Sequence, residues 1–263
     1  MTDPSPPPAE RRRISLLSAN IQAGASTRGY GDYVTRSWSN VLPHREKRSN
    51  LDALADLAAA FDVVGLQETD PGSLRSGFLN QTHYLAERAG FPFWSHQPNR
   101  RVGRIASSAN GLLSRHEPDE VLDYALPSRI PGRGVLLARY GRDEDALTVA
   151  IAHLSLSPRA RAAQIAFLSE LLAGPGHAVL MGDFNCECDA AEMHGLYRHT
   201  SLRPPEERVL TFPSWQPKRA IDHILVSEGI DVHRRWVLPG LLSDHLALAA
   251  ELELPAARGA ATQ

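Results

Sequence analysis

The stretch His177-Ala178-Val179-Leu180-Met181-Gly182-Asp183-Phe184-Asn185 passes from an apolar run straight into a glycine, an acid and an amide. A short apolar run bounded by turn residues reads as a buried strand, here His177 to Met181. Asp183 and Asn185 then stand where that strand ends. The same arrangement recurs along the chain. Asn20 follows Leu16-Leu17, Glu68 follows Val63-Val64-Gly65-Leu66, His153 follows Val149-Ala150-Ile151, and Ser243-Asp244-His245 precedes an apolar run. A cap or a turn explains any one of these alone. Together they point to a shared crevice, because a sheet fixes the backbone while its strand ends face open space.

Outward from this stretch, short apolar runs alternate with helical spacing, so α and β elements interleave along the whole chain. Ile14 to Ile21, Asp62 to Leu66, Phe91 to Trp94, Gly111 to Leu113 and Val121 to Ala125 read as strands. Val135 to Tyr140, Leu147 to Ala152, Ala220 to Val226, Ile230 to Val237 and Leu246 to Leu254 follow them. Apolar residues at helical spacing predict helices over Glu46 to Ala60 and Asn80 to Ala89. Ser157 caps a third, with Pro158 at its first position, Ile165, Leu168 and Leu172 on one face, and Gly174 as its stop. Many strands and few helices predict an α/β fold of two packed sheets with helices outside. Gln22 to Pro43 is a long polar connection, the kind of segment that carries function.

The chain has 263 residues, 43% hydrophobic and 22% charged, which excludes collagen-like, disordered and coiled-coil classes. One domain over residues 14–254 is expected, between a disordered leader at 1–13 and a frayed tail at 255–263. The formal net charge of −2 leaves no overall positive field to draw in nucleic acid. Lys47 and Lys218 are the only lysines, so a side chain that holds phosphate is expected to be an arginine with its planar fork. Cys186 and Cys188 are too few for a disulfide framework or a four-cysteine zinc site, and they fit a reducing, cytoplasmic setting. The leader has no apolar segment of signal-peptide length. No run reaches the roughly 18 apolar residues of a membrane span.

Seven stretches, in order, resemble the endonuclease/exonuclease/phosphatase superfamily of magnesium-dependent phosphoesterases. They are Ser18-Ala19-Asn20-Ile21, Leu66-Gln67-Glu68, Asn110-Gly111-Leu112-Leu113, His153-Leu154, Gly182-Asp183-Phe184-Asn185, Ile221-Asp222-His223-Ile224 and Ser243-Asp244-His245. The resemblance spans Ile14 to about Leu254. It implies a four-layer sandwich, two mixed β-sheets face to face with helices outside, and a site at one edge.

It also implies roles. A phosphodiester is anionic, so a hard cation must neutralise the charge that develops on its oxygens. Glu68 is the main implied ligand for magnesium, with manganese able to substitute, helped by the amide oxygen of Asn20 and by Asp244. Asp183 deprotonates the attacking water and Asn185 holds that water or a phosphate oxygen. His245 stabilises the transition state, its ring fixed by Asp222, and His153 donates to a nonbridging oxygen. Asn110 either reaches substrate phosphate or starts a strand. Arg133 is either a phosphate clamp between two glycines or a surface arginine. His223 points away from Asp222 by strand alternation and is given no role. Cys186 and Cys188 read as structural, since thiolates are soft ligands beside an oxygen-only site.

The substrate is less determined than the reaction, because one fold serves many phosphoesters. Arg28, Tyr30, Tyr33, Arg36 and Trp38, with Arg100, Arg101 and Arg104, interleave cations and aromatics as a nucleic-acid backbone or a headgroup at a membrane surface requires. The net charge and the lack of a nucleic-acid module oppose a nuclease, and the lack of an anchor opposes a lipid enzyme. Thr211-Phe212-Pro213-Ser214-Trp215 is similar to small bacterial members of the sphingomyelinase and GPI-remodelling branch. The expectation is therefore a phosphodiesterase acting on a lipid headgroup or other non-nucleic-acid diester. A DNA endonuclease or exonuclease is the alternative, and a catalytically silent binding module a remote one. No obligate protein partner is readable.

Overall fold

Leu16 and Leu17 point to opposite faces of one strand, and both are fully buried. The same is true of Val63 and Val64, and of Val179 and Leu180. That is why the runs are apolar at every position: their strands have no solvent face. The computed structural model describes residues 11–22, 45–102, 106–129, 131–239 and 243–256. Most of the predicted Gln22 to Pro43 connection, Arg104, most of the leader and most of the tail lie outside them, as do the side chains of Arg100 and Arg101.

One sheet is built from β1 (Arg12–Asn20), β2 (Val63–Thr69), β3 (Phe93–Val102), β4 (Ala106–Ser114), β11 (Asp231–Leu238) and β12 (Ala247–Leu254). Its order is β11-β12-β1-β2-β4-β3. The other holds β5 (Glu120–Ala125), β6 (Gly134–Tyr140), β7 (Leu147–His153), β8 (His177–Asp183), β9 (Leu202–Arg203) and β10 (Asp222–Ser227), in the order β5-β6-β7-β8-β10-β9. Each sheet is mixed, with one parallel pair, β1/β2 and β7/β8, among antiparallel ones. The helices are α1 (Arg45–Ala58), α2 (Gln81–Ala89), α3 (Pro158–Leu171) and α4 (Met193–His199).

The sheets meet over Leu16, Val63, Leu112, Ile151, Met181 and Leu248. Leu17, Val64 and Leu66 face outward beneath Leu51, Leu54 and Leu85 of α1 and α2. On the far side Leu137, Ala150 and Leu180 face outward beneath Ile165, Leu168 and Leu196 of α3 and α4. The result is the four-layer sandwich, helices outside two face-to-face sheets. Among the described residues no helix is long and apolar enough to cross a membrane.

Element ends differ from the sequence reading for identifiable reasons. Arg12 and Arg13, assigned to the leader, extend β1 by pairing with Leu254 and Glu253. The third helix ends at Leu171, before its predicted stop at Gly174. The strand predicted over Phe91 to Trp94 runs on to Val102 through the polar segment with Pro98. Proline is tolerated there because β3 is the edge of its sheet and the register shifts between Pro98 and Arg100.

Register sets up the site. His153 pairs with Asp183 across β7/β8, and Asp183 pairs with Asp222 across β8/β10. Paired residues on neighbouring strands share a face, so three separate motifs are brought side by side. Gly182, just before Asp183, has φ 143°, and a Cβ there would collide with the carbonyl oxygen of Ala152. Gly182→Ala is therefore expected to destabilise the fold by about 2–4 kcal/mol in denaturant titration, combining a disallowed backbone with overpacking. A change within about 0.5 kcal/mol, the range of ordinary surface substitutions, would refute this account of the glycine.

Candidate active site

Asp183 is the centre of the cluster, and it is 2% exposed. Its Oδ2 accepts from Asn20 Nδ2 at 3.0 Å, and its Oδ1 accepts from the backbone N–H of Asn185 at 3.0 Å. His153 Nε2 lies 3.4 Å and His245 Nε2 3.9 Å from Oδ2. One carboxylate thus faces two imidazoles, with the first sheet contributing Asn20 and the second His153.

The two histidines are held in opposite charge states. Burial pushes His153 down to about 3, although Asp183 opposes this and Arg133 reinforces it. Arg133 Nη1 stands 3.4 Å from His153 Nδ1, and since guanidinium can only donate, Nδ1 is the acceptor and Nε2 carries the proton. Burial also works to lower His245, but Asp222, Asp183 and Asp244 together outweigh it and raise the ring to about 10. Its Nδ1 lies 2.8 Å from Asp222 Oδ2. At neutral pH the site therefore holds a neutral donor and a cation on either side of Asp183.

The oxygen-rich side consists of Glu68, Asp244 and Asn20. Glu68 Oε1 reaches to 4.0 Å from His153 Nε2. Asp244 Oδ1 is 4.0 Å from His245 Nε2. Burial pushes the Asp244 carboxyl up to about 6, which His245 opposes and Glu68 and Asp183 reinforce. Crowded oxygens of this kind fit a hard cation, which would relieve their mutual repulsion. By distance alone, Asp183, Asp222 and His245 form a group able to hold a metal, with ligand atoms within 4.8 Å of one another. Within that group Asp222 and His245 are already hydrogen-bonded to each other, and Asp222 also accepts from Thr211 Oγ1.

Asn20 turns its amide nitrogen to Asp183, and its Oδ1 accepts from the N–H of Gln22 at 3.2 Å. Asn185 donates from Nδ2 to the carbonyl of Leu154 at 3.0 Å. Glu68 and Asn185 both have positive φ, 58° and 55°. Strained backbone of this sort persists where the surroundings over-determine it, as at functional sites.

Asn110 takes hydrogen-bond partners other than the residues of this cluster. It is fully buried within β4, and its Nδ2 donates to Gln97 Oε1 at 3.2 Å and to the carbonyl of Gly134 at 2.8 Å. The second bond crosses from one sheet to the other. His223 turns away from Asp222, with Nε2 2.8 Å from the Cys186 carbonyl. Cys186 is buried, and burial pushes its thiol up to about 12; neither cysteine belongs to the candidate metal group.

Sequence reading missed two supports. Thr211, fully buried, donates its hydroxyl to Asp222 Oδ2. Ser243 Oγ donates to the Asn20 carbonyl at 2.7 Å and so ties the loop bearing Asp244 and His245 to the end of β1. Thr211 stands beside quoted aromatics, but only its distance from Asp222 in space reveals its partner.

The sequence model of the Endonuclease/Exonuclease/phosphatase family matches residues 17–245. No curated protein matches the sequence. Among solved structures, an endonuclease/exonuclease/phosphatase from Beutenbergia cavernae is 19% identical with a TM-score of 0.71, over 93% of this chain and 72% of that one. A mannosyl-6-phosphatase from Bacteroides thetaiotaomicron is 19% identical with a TM-score of 0.65, over 91% of this chain and 99% of that one. The human Nocturnin catalytic domain, with bound sulfate anion, is 17% identical with a TM-score of 0.65, over 93% of this chain and 95% of that one. At these identities the likeness is one of fold.

Proposed function

The chain belongs to the endonuclease/exonuclease/phosphatase family, and on that premise we propose that it is a magnesium-dependent phosphodiesterase acting on a lipid headgroup or another non-nucleic-acid phosphodiester. The observation that carries the reaction is Asp183 placed between a neutral and a charged histidine, 3.4 Å and 3.9 Å away. Asp183 accepts the proton of the attacking water, held in position for this by Asn20 Nδ2 and the Asn185 N–H. His153 donates from Nε2 to a nonbridging phosphate oxygen, its tautomer fixed by Arg133. His245 places its positive charge against the oxygens that gain negative charge, and Asp222, itself held by Thr211, keeps the ring oriented. Glu68 and Asp244, with help from Asn20, would hold magnesium, which when bound would supply further neutralisation of the phosphate.

The net charge of −2 favours a substrate other than nucleic acid.

The test compares purified chain on phospholipid vesicles, on bis-p-nitrophenyl phosphate, and on duplex DNA with and without an abasic site, each with magnesium, manganese or EDTA. Diester cleavage in magnesium or manganese that EDTA abolishes, with DNA intact, is expected. Undiminished cleavage in EDTA overturns the metal's role, and cleavage of DNA alone overturns the substrate class.

A further inference from the structure

Beside His153 the chain forms a cavity of about 650 Å³ that the catalytic assignment leaves unused. That volume lies in the range of sites for small organic ligands. One wall is formed by residues 127–129 and 131–133, with Arg129 and Arg133, and the other by Ser155-Leu156 with the start of α3, including Arg159. Three arginines therefore line it, and no carboxylate does among the described residues. Pro127, Pro131, Leu156 and Ala160 supply apolar surface between them.

The wall is built rather than incidental. Arg161, nearly buried, donates to the Leu156 carbonyl at 2.7 Å and the Ser155 carbonyl at 3.2 Å, and is itself held by Glu192 at 2.7 Å. Buried Gln164 accepts from the Ser155 N–H and donates to its hydroxyl, both at 2.9 Å. Ser155-Leu156 is thereby fixed directly after His153-Leu154. Arg133 borders both the cavity and the active site, since it lines the first and stands 3.4 Å from His153 in the second.

The geometry points to this cavity as a subsite for a second phosphate group on a small phosphodiester, taken by Arg129 and Arg159 while the scissile phosphate lies against His153. The inference rests on the phosphodiesterase reading of the site. Guanidinium forks bind phosphate bidentately. Both arginines are exposed, without an ion-pair partner among the described residues, and such cations at the rim of an apolar hollow favour a ligand that is anionic at one end and apolar in its body. A compact hollow of this size suits a small molecule better than a long backbone.

The probes are thymidine 5′-(p-nitrophenyl phosphate) and the same ester carrying a 3′-phosphate, which share one scissile bond. The wild type is expected to favour the 3′-phosphorylated ester in kcat/KM by about tenfold or more, the scale of charge-assisted hydrogen bonds. In the Arg129→Ala, Arg159→Ala double variant the ratio of the two values should fall to about two or less. A ratio unchanged by the double substitution overturns the subsite. A loss on an oligonucleotide larger than on the small bisphosphorylated ester assigns the arginines to a polymer and overturns it too. If neither these esters nor bis-p-nitrophenyl phosphate is cleaved with magnesium or manganese, the phosphodiesterase reading fails by itself. The subsite is then decided by mass-mapped phenylglyoxal labelling. Stronger protection of Arg129 and Arg159 by thymidine 3′,5′-bisphosphate than by thymidine 5′-monophosphate upholds it, and equal protection overturns it.

Discussion

Asp183→Asn should lower kcat by about 10³, with the protein still folded, because it removes general-base catalysis and one charge from a crowded centre. The substitution keeps the shape of the side chain. Its remaining oxygen accepts from Asn20 Nδ2 or from the Asn185 N–H, so one of the two bonds at 3.0 Å that position the side chain is retained and the other is lost. What disappears is the capacity to take a proton and the negative charge that faces His153 and His245. Steady-state hydrolysis of bis-p-nitrophenyl phosphate alongside thermal unfolding separates the two effects. A variant that retains more than about a tenth of wild-type turnover would show that another group accepts the proton, since a positioned base contributes about 10² to 10⁴.

His245→Gln is the second large effect, expected at about 10²–10³ in kcat with a smaller cost in stability. Glutamine can still offer an N–H toward Asp222, and Thr211 continues to donate to its Oδ2, so the buried carboxylate is not left without a donor. The lost quantity is the positive charge, which the surrounding acids maintain by raising the ring to about 10. Because Asp222 acts through His245, adding Asp222→Asn to His245→Gln should cost little further activity, whereas Asp222→Asn alone should be severely impaired. Fully additive losses in that cycle would show that Asp222 has a separate role.

Much of this was legible in the chain because of one physical regularity. Strands buried on both faces are apolar throughout, so a polar residue at the end of such a run stands out. Asn20, Glu68, His153, Asp183 and Asp222 were all found that way or through the motifs around them. Short elements were not legible. The helix Met193–His199 is a seven-residue element and the strand Leu202–Arg203 has two residues, too short for periodicity to register. Nor does sequence spacing show which partner a buried amide takes. Asn110 sits in a motif with other site residues, yet its Nδ2 bonds to the carbonyl of a residue 24 positions away on the opposite sheet. The positive φ of Glu68 and Asn185 was equally hidden, since neither is glycine and only the closed structure imposes it.

The bond from Asn110 to Gly134 has a further meaning. Glu68 and Asn20 ride on one sheet, while His153, Asp183 and Asp222 ride on the other. Each half is internally rigid through its own ladder, but their relative placement depends on what crosses the apolar seam, where side-chain packing is joined by directional links such as those of Asn110 to Gly134, Asn20 to Asp183 and Tyr140 to Ser114. Catalytic alignment is therefore a property of how the two layers are indexed to each other. A slip of about 1 Å along that seam, enough to cost on the order of 10²-fold in rate, would silence the chemistry while every strand kept its neighbours.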